Sequence, residues 1–330
     1  MNKILIFRTD RVGDFLISQP FINSINRSFP NSNIDIVCSN KNVFFVKQFK
    51  IFSKVILYPN KFFFKIKFFL SIFFSYDVII VMDGKKRSIF NTLFSFAKLK
   101  ILFTPSKFNY YIYNFFFKKI YFIDYKIPKI SILSKAANFF NSKIIPYDLN
   151  INIKGFYLLS KYQKYLDNFI VFNFDEKWIF KNYIKNYKNI EPRIDEFVIF
   201  LDILSLKLNK KIFITNGLLK NSVFNYLKSK SHKFDNKLYT YRNNKIFLFD
   251  NINIFELQNL ISRSLCLVSC HGAPSHLASG YNIPIIDIID KSELLFFRSY
   301  SHHFRKCITL NRDNFRILSK KIINNLKLIL

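Results

Sequence analysis

Two short runs, one near each end of the chain, hold the residue types and spacings best suited to chemistry. The first is Arg8-Thr9-Asp10-Arg11-Val12-Gly13-Asp14, between a β-branched and aromatic stretch and a helical apolar pattern. Gly13 would permit a tight strand-to-helix turn and set Asp14 at the opening of the helix. A carboxylate there, between Arg8 and Arg11, could take a proton from a hydroxyl group. Asp is also a common helix cap, and spacing alone does not choose between the two roles. The second run is Ser269-Cys270-His271-Gly272-Ala273-Pro274-Ser275-His276. A strand-like LCLVS enters a loop of small residues and then a helix, an arrangement whose backbone N–H groups suit a phosphate. His271, Gly272, Ala273 and His276 are the candidates there. A plain helix cap with incidental histidines would look the same.

Two further groups follow strand-like segments. Lys177, in Asn173-Phe174-Asp175-Glu176-Lys177-Trp178, could act as a point charge on a pyrophosphate. Lys85 and Arg87, in Asp83-Gly84-Lys85-Lys86-Arg87-Ser88, form a basic patch suited to an anionic acceptor. Either could equally be solvated surface charge. No metal site is expected, because His271 and His276 are five apart without a third ligand and no D-x-D occurs. The glycine-rich nucleotide-binding signatures and the G-x-S-x-G elbow are missing too. Charge on a leaving group would then fall to helix ends, lysines and histidines.

These runs need a frame to hold them, and strands alternate with helices along the chain in the manner of parallel α/β sheets. Lys3–Arg8, Asn33–Ser39, Val55–Leu57, Asp77–Met82 and Lys100–Phe103 read as strands. The first helix is expected to be capped by Ser18, with Pro20 in its opening turn. From about Tyr121 to Leu159, with Pro128, Pro146 and Gly155, the pattern loses its rhythm and marks a passage between domains. It restarts with Phe169–Phe172 and continues to Pro284–Ile289, read as the last strand, before a closing amphipathic helix. The division expected is 1–160, 161–312 and a helix at 313–330. The fold class is α/β: two Rossmann-like parallel-sheet domains facing a cleft, the closing helix packing back on the first.

Bulk composition is compatible with this. A chain of 330 residues, half of them hydrophobic, can build two cores. The net charge of +30 points to anionic partners, although Lys, Asn, Ile and Phe are so widespread that compositional bias contributes. No long Lys/Arg block or RNA-binding aromatic motif occurs, so nucleic acid is not the expected partner. Four cysteines without C-x-x-C spacing fit a reducing compartment, with Cys38 and Cys266 reading as buried thiols. The stretch Phe62–Phe74 is broken by Lys65 and Lys67 and is too short to span a bilayer. A cytoplasmic protein, peripheral on the inner face of the inner membrane, is expected.

With these residues in view, the chain resembles the ADP-heptose:lipopolysaccharide heptosyltransferases, glycosyltransferase family 9. The resemblance rests on RTDRVGDFLISQP (Arg8 to Pro20), FPNSNID (Phe29 to Asp35), YDVIIVMDGKKRS (Tyr76 to Ser88) and FELQNLISRSLCLVSCHGAPSHLA (Phe255 to Ala278), in that order. It implies a GT-B fold and an inverting, metal-independent sugar transfer from a nucleotide-sugar, ADP-linked, to a lipopolysaccharide or other surface glycan. No cofactor is implied. Asp14 would be the catalytic base; Lys177, His271, Gly272, Ala273 and His276 would hold the donor phosphates. Arg8, Arg11, Gly13, Lys85 and Arg87 would lie on the side of an anionic glycolipid or glycan acceptor. Departures fall on the donor side: Cys270-His271 stands for the family's Asp-Thr, Gly272 to His276 is one residue longer, and Lys220 and Asn221 stand where acidic residues are common. A catalytically inactive relative, binding glycan or serving as a membrane-associated scaffold, is the alternative.

Overall fold

A computed structural model describes residues 2–149, 160–182, 185–217, 219, 221–242 and 245–330. Gly155, Leu159 and Lys220 lie outside the described residues. The chain divides into two compact units, Met1–Ile153 with Arg298–His303, and Lys154–Phe297 with Phe304–Leu330.

The first unit runs β1 (Lys3–Phe7), α1 (Val12–Ser28), β2 (Asn33–Cys38), α2 (Val43–Val46), β3 (Lys54–Leu57), α3 (Phe62–Ile72), β4 (Val78–Val81), α4 (Lys86–Leu93), β5 (Leu99–Thr104), α5 (Lys107–Ile112), β6 (Lys119–Phe122) and α6 (Lys129–Phe139). All six strands are parallel, in the order β3-β2-β1-β4-β5-β6. β1 reads KILIF and β4 VIIV because helices cover both faces of the sheet, so alternation gives way to unbroken apolar runs. On one face α1 lies against α6. On the other, Phe68 and Ile72 of α3 and Ile89 of α4 pack over Leu5, Phe7, Ile79 and Val81.

Three expectations for this unit are corrected. Helix α1 begins at Val12, so Ser18 is no cap; its hydroxyl donates to the Asp14 carbonyl at 2.9 Å, and Pro20 sits inside the helix. Gly13 is the second residue of α1, and the turn before it is made by Arg8–Arg11; the described glycine with positive φ is Gly84. The stretch read as irregular from Tyr121 holds the end of β6 and the whole of α6, whose short apolar run Ile132, Leu133, Ala136, Ala137 escapes notice beside Pro128.

The second unit runs β7 (Phe169–Phe174), α7 (Ile194–Leu208), β8 (Lys211–Asn216), α8 (Ser222–Ser229), β9 (His232–Lys233), β10 (Leu238–Tyr241), β11 (Ile246–Phe249), α9 (Ile254–Ser262), β12 (Cys266–Cys270), α10 (Ala273–Gly280), β13 (Ile285–Ile289), the start of α11 (Leu294–Tyr300, whose last residues, 298–300, belong to the first unit), β14 (Cys307–Asn311) and α12 (Phe315–Ile329). Its sheet has the order β14-β13-β12-β7-β8-β11-β10-β9, parallel except for the antiparallel pairs β11–β10 and β10–β9. Pro284–Ile289 is thus not the last strand: β14 adds beyond it, pairing Ile288 with Leu310. The closing helix α12 also differs from expectation. Its apolar face, Phe315, Leu318, Ile322 and Leu326, is buried in the second unit's own core, and it packs against α7. Among the described residues no helix is long and apolar enough to cross a membrane.

Candidate functional site

In an open parallel sheet, ligands bind beyond the carboxyl ends of the strands, where the strand order reverses. The first sheet reverses between β1 and β4, the second between β12 and β7. The runs picked from the sequence lead out of these four strands.

After β1, Arg8 is buried and its guanidinium is used within the protein. Nε and Nη2 donate to the Asp14 carbonyl at 3.0 and 2.6 Å, and Nη1 donates to the Met82 carbonyl at 2.6 Å, just beyond β4. Nη1 also lies 3.2 Å from Asp10, whose other oxygen takes the Lys85 ammonium at 2.7 Å. Arg8 therefore fastens the loop that presents Asp14. Asp14 is the third residue of α1, and its carboxylate accepts from the Arg11 N–H at 3.2 Å, a capping contact. The carboxylate stays part-exposed, with its second oxygen 3.9 Å from Arg8. It both caps the helix and remains open to a ligand.

The β4–α4 loop closes around the same point. Gly84 adopts φ +59°, and a Cβ there would come within 3.0 Å of the Phe103 carbonyl, so the turn requires glycine. Asp83 accepts from the hydroxyls of Thr9 at 2.6 Å and Ser88 at 2.8 Å. Burial pushes its carboxyl up, against hydrogen bonds from Thr9, Lys85 and Ser88, with the charge of Asp10 adding to the rise. Lys85 donates to the Thr9 carbonyl at 2.8 Å, and Arg87 donates to the Thr9 hydroxyl at 2.9 Å. Arg8, Asp14, Lys85 and Arg87 are thus gathered around one loop.

Sequence reasoning missed two members of this cluster. Lys129, at the start of α6, is buried with its ammonium 5.7 Å from the Phe103 ring centre. Burial drives its amine well below the usual lysine range; Arg8 adds to the drop, while Asp14 and Asp10 oppose it. Tyr300 feels the same three charges, and burial pushes its phenol up, Tyr125 adding to the rise. The irregular reading of the 121–159 stretch concealed Lys129, and nothing local marks Tyr300.

In the second unit, Lys177 follows β7 and reaches the loop after β12. Its ammonium lies 3.0 Å from Asp175 and donates to the Cys270 carbonyl at 3.4 Å. It also rests directly against Gly272: a Cβ there would overlap Nζ and stand 3.3 Å from Cε. With Lys177 in this position, glycine leaves the room that its ammonium occupies. Ala273 opens α10, Pro274 follows in its first turn, and the His276 N–H donates to the Gly272 carbonyl at 3.2 Å. The first N–H groups of a helix have no partner within it, so this turn adds donors beside the lysine.

His271 is buried and held from behind. Its Nδ1 lies 2.6 Å from Asp287 of β13, and the Ser275 hydroxyl donates to the other Asp287 oxygen at 2.7 Å. A carboxylate only accepts, so Nδ1 carries the hydrogen and Nε2 is the nitrogen left for a ligand. The lone polar residue in IIDII was the available signal for Asp287. Arg312, after β14, is also buried; it donates to the Lys177 carbonyl at 2.9 Å. Burial pushes the Cys270 thiol up to about 12, which leaves it unsuited as a nucleophile. Among the described residues no group of three His, Cys, Asp or Glu is placed to hold a metal ion.

No protein-family model and no curated protein matches the chain. Solved structures do. A glycosyl transferase family 9 protein from Veillonella parvula matches at TM-score 0.71 and 14% identity, covering 100% of this chain and 90% of that one. The E. coli heptosyltransferase WaaC with ADP matches at TM-score 0.70 and 13% identity, over 99% of this chain and 100% of that one. A UDP-GlcNAc 2-epimerase from Methanocaldococcus jannaschii matches at TM-score 0.60 and 13% identity, over 98% and 92%. At these identities the likeness is one of fold. With its two parallel-rich sheets of six and eight strands, the chain has a GT-B-like fold, the fold of the family 9 heptosyltransferases.

Proposed function

We propose that the chain is an inverting, metal-independent glycosyltransferase. It moves a heptose or similar sugar from an ADP-linked donor to a lipopolysaccharide or other anionic surface glycan. The observation that carries this reading is the pairing of Lys177 and Gly272 at the reversal point of the second sheet, beside the opening turn of α10. A diphosphate there would meet the lysine ammonium, the helix N–H groups and, through Nε2, His271. His276, in the same turn, adds a further donor.

In the transfer, Asp14 takes the proton of an acceptor hydroxyl whose oxygen attacks the anomeric carbon. The bond from that carbon to the phosphate oxygen breaks, and the nucleoside diphosphate leaves with the electron pair. Attack opposite the leaving group inverts the centre. The largest electrostatic task is the charge gathering on the diphosphate, which falls to Lys177 and the loop at residues 271–276. On the acceptor side Lys85 and Arg87, with Arg11 at the helix opening, would meet acidic groups of the glycan. Arg8 and Gly13 act there through the loop and the helix turn.

Nucleotide preference tests the donor half. Thermal shift with ADP, UDP, GDP and CMP should single out ADP, since a ligand at 100 times its Kd stabilises by about 2.7 kcal/mol. A shift with UDP instead would replace the donor, in keeping with the epimerase's likeness. Binding without turnover on any glycan acceptor would favour the inactive relative, a reading that the capping contact of Asp14 also suits.

A further inference from the structure

One buried titratable group of the first unit, Lys129, does nothing in the transfer proposed above. It is 4% exposed and opens α6, directly after Pro128. The start of a helix carries the positive end of its dipole, and the first turn of α6 holds no acidic residue to offset a lysine there. Asp10 serves Arg8 and Lys85, and Asp14 caps α1, so among the described residues the amine has no ion-pair partner. It faces the Phe103 ring at 5.7 Å instead. A lysine in such surroundings costs stability that a methionine of similar volume would not, a cost typical of functional groups.

The helices bring this amine toward Asp14. β1 and β6 are parallel strands of one sheet, and α1 and α6 follow their carboxyl ends. The two helices pack side by side. At their far ends Phe140 meets Phe29, with ring centres 6.1 Å apart; nearer the middle Phe21 of α1 faces Phe103 at 5.8 Å. Their openings therefore share one edge of the sheet, and helical side chains lean toward the opening. The charges that bear on Lys129 are those of Arg8, Asp14 and Asp10, all in the turn after β1 or the first turn of α1. Tyr300 feels the same three charges, and Tyr125 lies 6.2 Å from it, ring to ring. Burial pushes both phenols up, so neither adds a charge.

We propose that Lys129 is the proton acceptor behind Asp14, a role that rests on the transferase reading above. The acceptor hydroxyl gives its proton to a carboxylate oxygen of Asp14 while its oxygen bonds to the anomeric carbon. The new O–H bond of Asp14 then breaks, directly or across one water, and the proton binds the lone pair of Lys129 Nζ. Asp14 is a carboxylate again, and Lys129 has become an ammonium. The step runs downhill as long as the amine is the stronger base, as alkylamines are relative to carboxylates. Burial drives the Lys129 amine well below the usual lysine range, which leaves it neutral at the start and lets it return the proton to solvent afterwards. Lys129 touches no substrate; it is a positioning residue that acts through Asp14.

The test has two arms. Lysine side-chain NMR titration follows the full chain, with Lys129 identified by the signal missing from Lys129→Met. Lys129 should take up its proton at a lower pH than the other lysines. Asp14→Asn should move that uptake lower still, because an anion favouring the ammonium is gone. Titration of Lys129 together with the surface lysines, or no response to Asp14→Asn, would overturn the proposal. The second arm follows ADP release from ADP-heptose with a lipopolysaccharide-core acceptor across pH. Lys129→Met, and Lys129→Arg with its permanent cation, should transfer at least about tenfold more slowly while the ADP-induced thermal shift stays intact. Wild-type kcat should fall with falling pH as Lys129 gains its proton, and in Lys129→Met that fall should shift, which a purely structural lysine would not produce. Wild-type rates in Lys129→Met, or an unshifted profile, would overturn the proposal and leave the transferase reading standing. No ADP release by the wild type with any acceptor would remove both, and the titration would still report whether Asp14 and Lys129 are coupled.

Discussion

Gly272→Ala tests the donor site at one atom. The added methyl would fall where the Lys177 ammonium now sits. The backbone there is extended, so steric overlap is the whole perturbation. The lysine is a flexible chain and can yield, but its ammonium must then leave Asp175 at 3.0 Å and the Cys270 carbonyl at 3.4 Å. Both side chains of the pair are mostly buried, 13% and 10% exposed. Weakening the pair should therefore cost about 1–3 kcal/mol, or roughly 2–4 °C in Tm per kcal/mol for domains of this size. The effect on the nucleotide should be larger in proportion. Removing a charged donor from a phosphate costs about 1.5–3 kcal/mol, a rise in Kd of roughly 10- to 150-fold. Calorimetric titration with ADP would compare wild type, Gly272→Ala, Lys177→Met and the double variant. Both substitutions act through one ammonium, so the double variant should bind no more weakly than Lys177→Met alone. Wild-type affinity in Gly272→Ala beside a weakened Lys177→Met would show that the ammonium does not need its present place. Wild-type affinity in both would remove Lys177 from the donor site.

Asp14→Asn should lower turnover by about 10²–10⁴-fold while the ADP-induced thermal shift persists; undiminished transfer would dismiss Asp14 as the base. Asp287→Ala leaves the Ser275 hydroxyl and His271 Nδ1 without their acceptor inside the second unit. Denaturant melts should show a loss of about 1–3 kcal/mol, and an unchanged midpoint would contradict the burial argument. For Lys129 the sign follows from its lowered folded-state pKa against an ordinary value of 10.5. In the window below 10.5 the unfolded chain binds more protons than the folded one, so stability rises with pH there. Lys129→Met should flatten that rise in urea melts and stabilise the fold at about pH 7; an unaltered slope would refute it.

Periodicity carried most of the architecture. β1, β4, β7 and β12 are buried, mostly apolar runs followed by polar turns, and these four strands flank the two points where strand order reverses. Asp14, Lys177 and Gly272 could be singled out as candidates for that reason: each lies a few residues beyond such a strand. What escaped notice depends on contacts distant in sequence. Lys129 acquires its character from burial, and then from Arg8, over a hundred positions away, which adds to the drop that Asp14 and Asp10 oppose. Arg312 follows β14, a short strand whose CITLN buries only Leu310 and carries polar Thr309 and Asn311. Asp287 was visible as an oddity in its strand, but nothing local names His271 as its partner. The fate of α12 was also settled elsewhere, since an amphipathic helix shows which face it buries and not against which unit.

The Asp287 pairing also bears on how this chain can change over time. A carboxylate deep in β13 is acceptable only while the His271 imidazole and the Ser275 hydroxyl accompany it. Loss of the aspartate leaves two stranded donors, and loss of the histidine leaves a stranded anion. Single replacements at any of the three positions therefore pass through a less stable protein. Drift should leave the three residues together or exchange them as a set, so that Asp287, His271 and Ser275 are inherited as one trait.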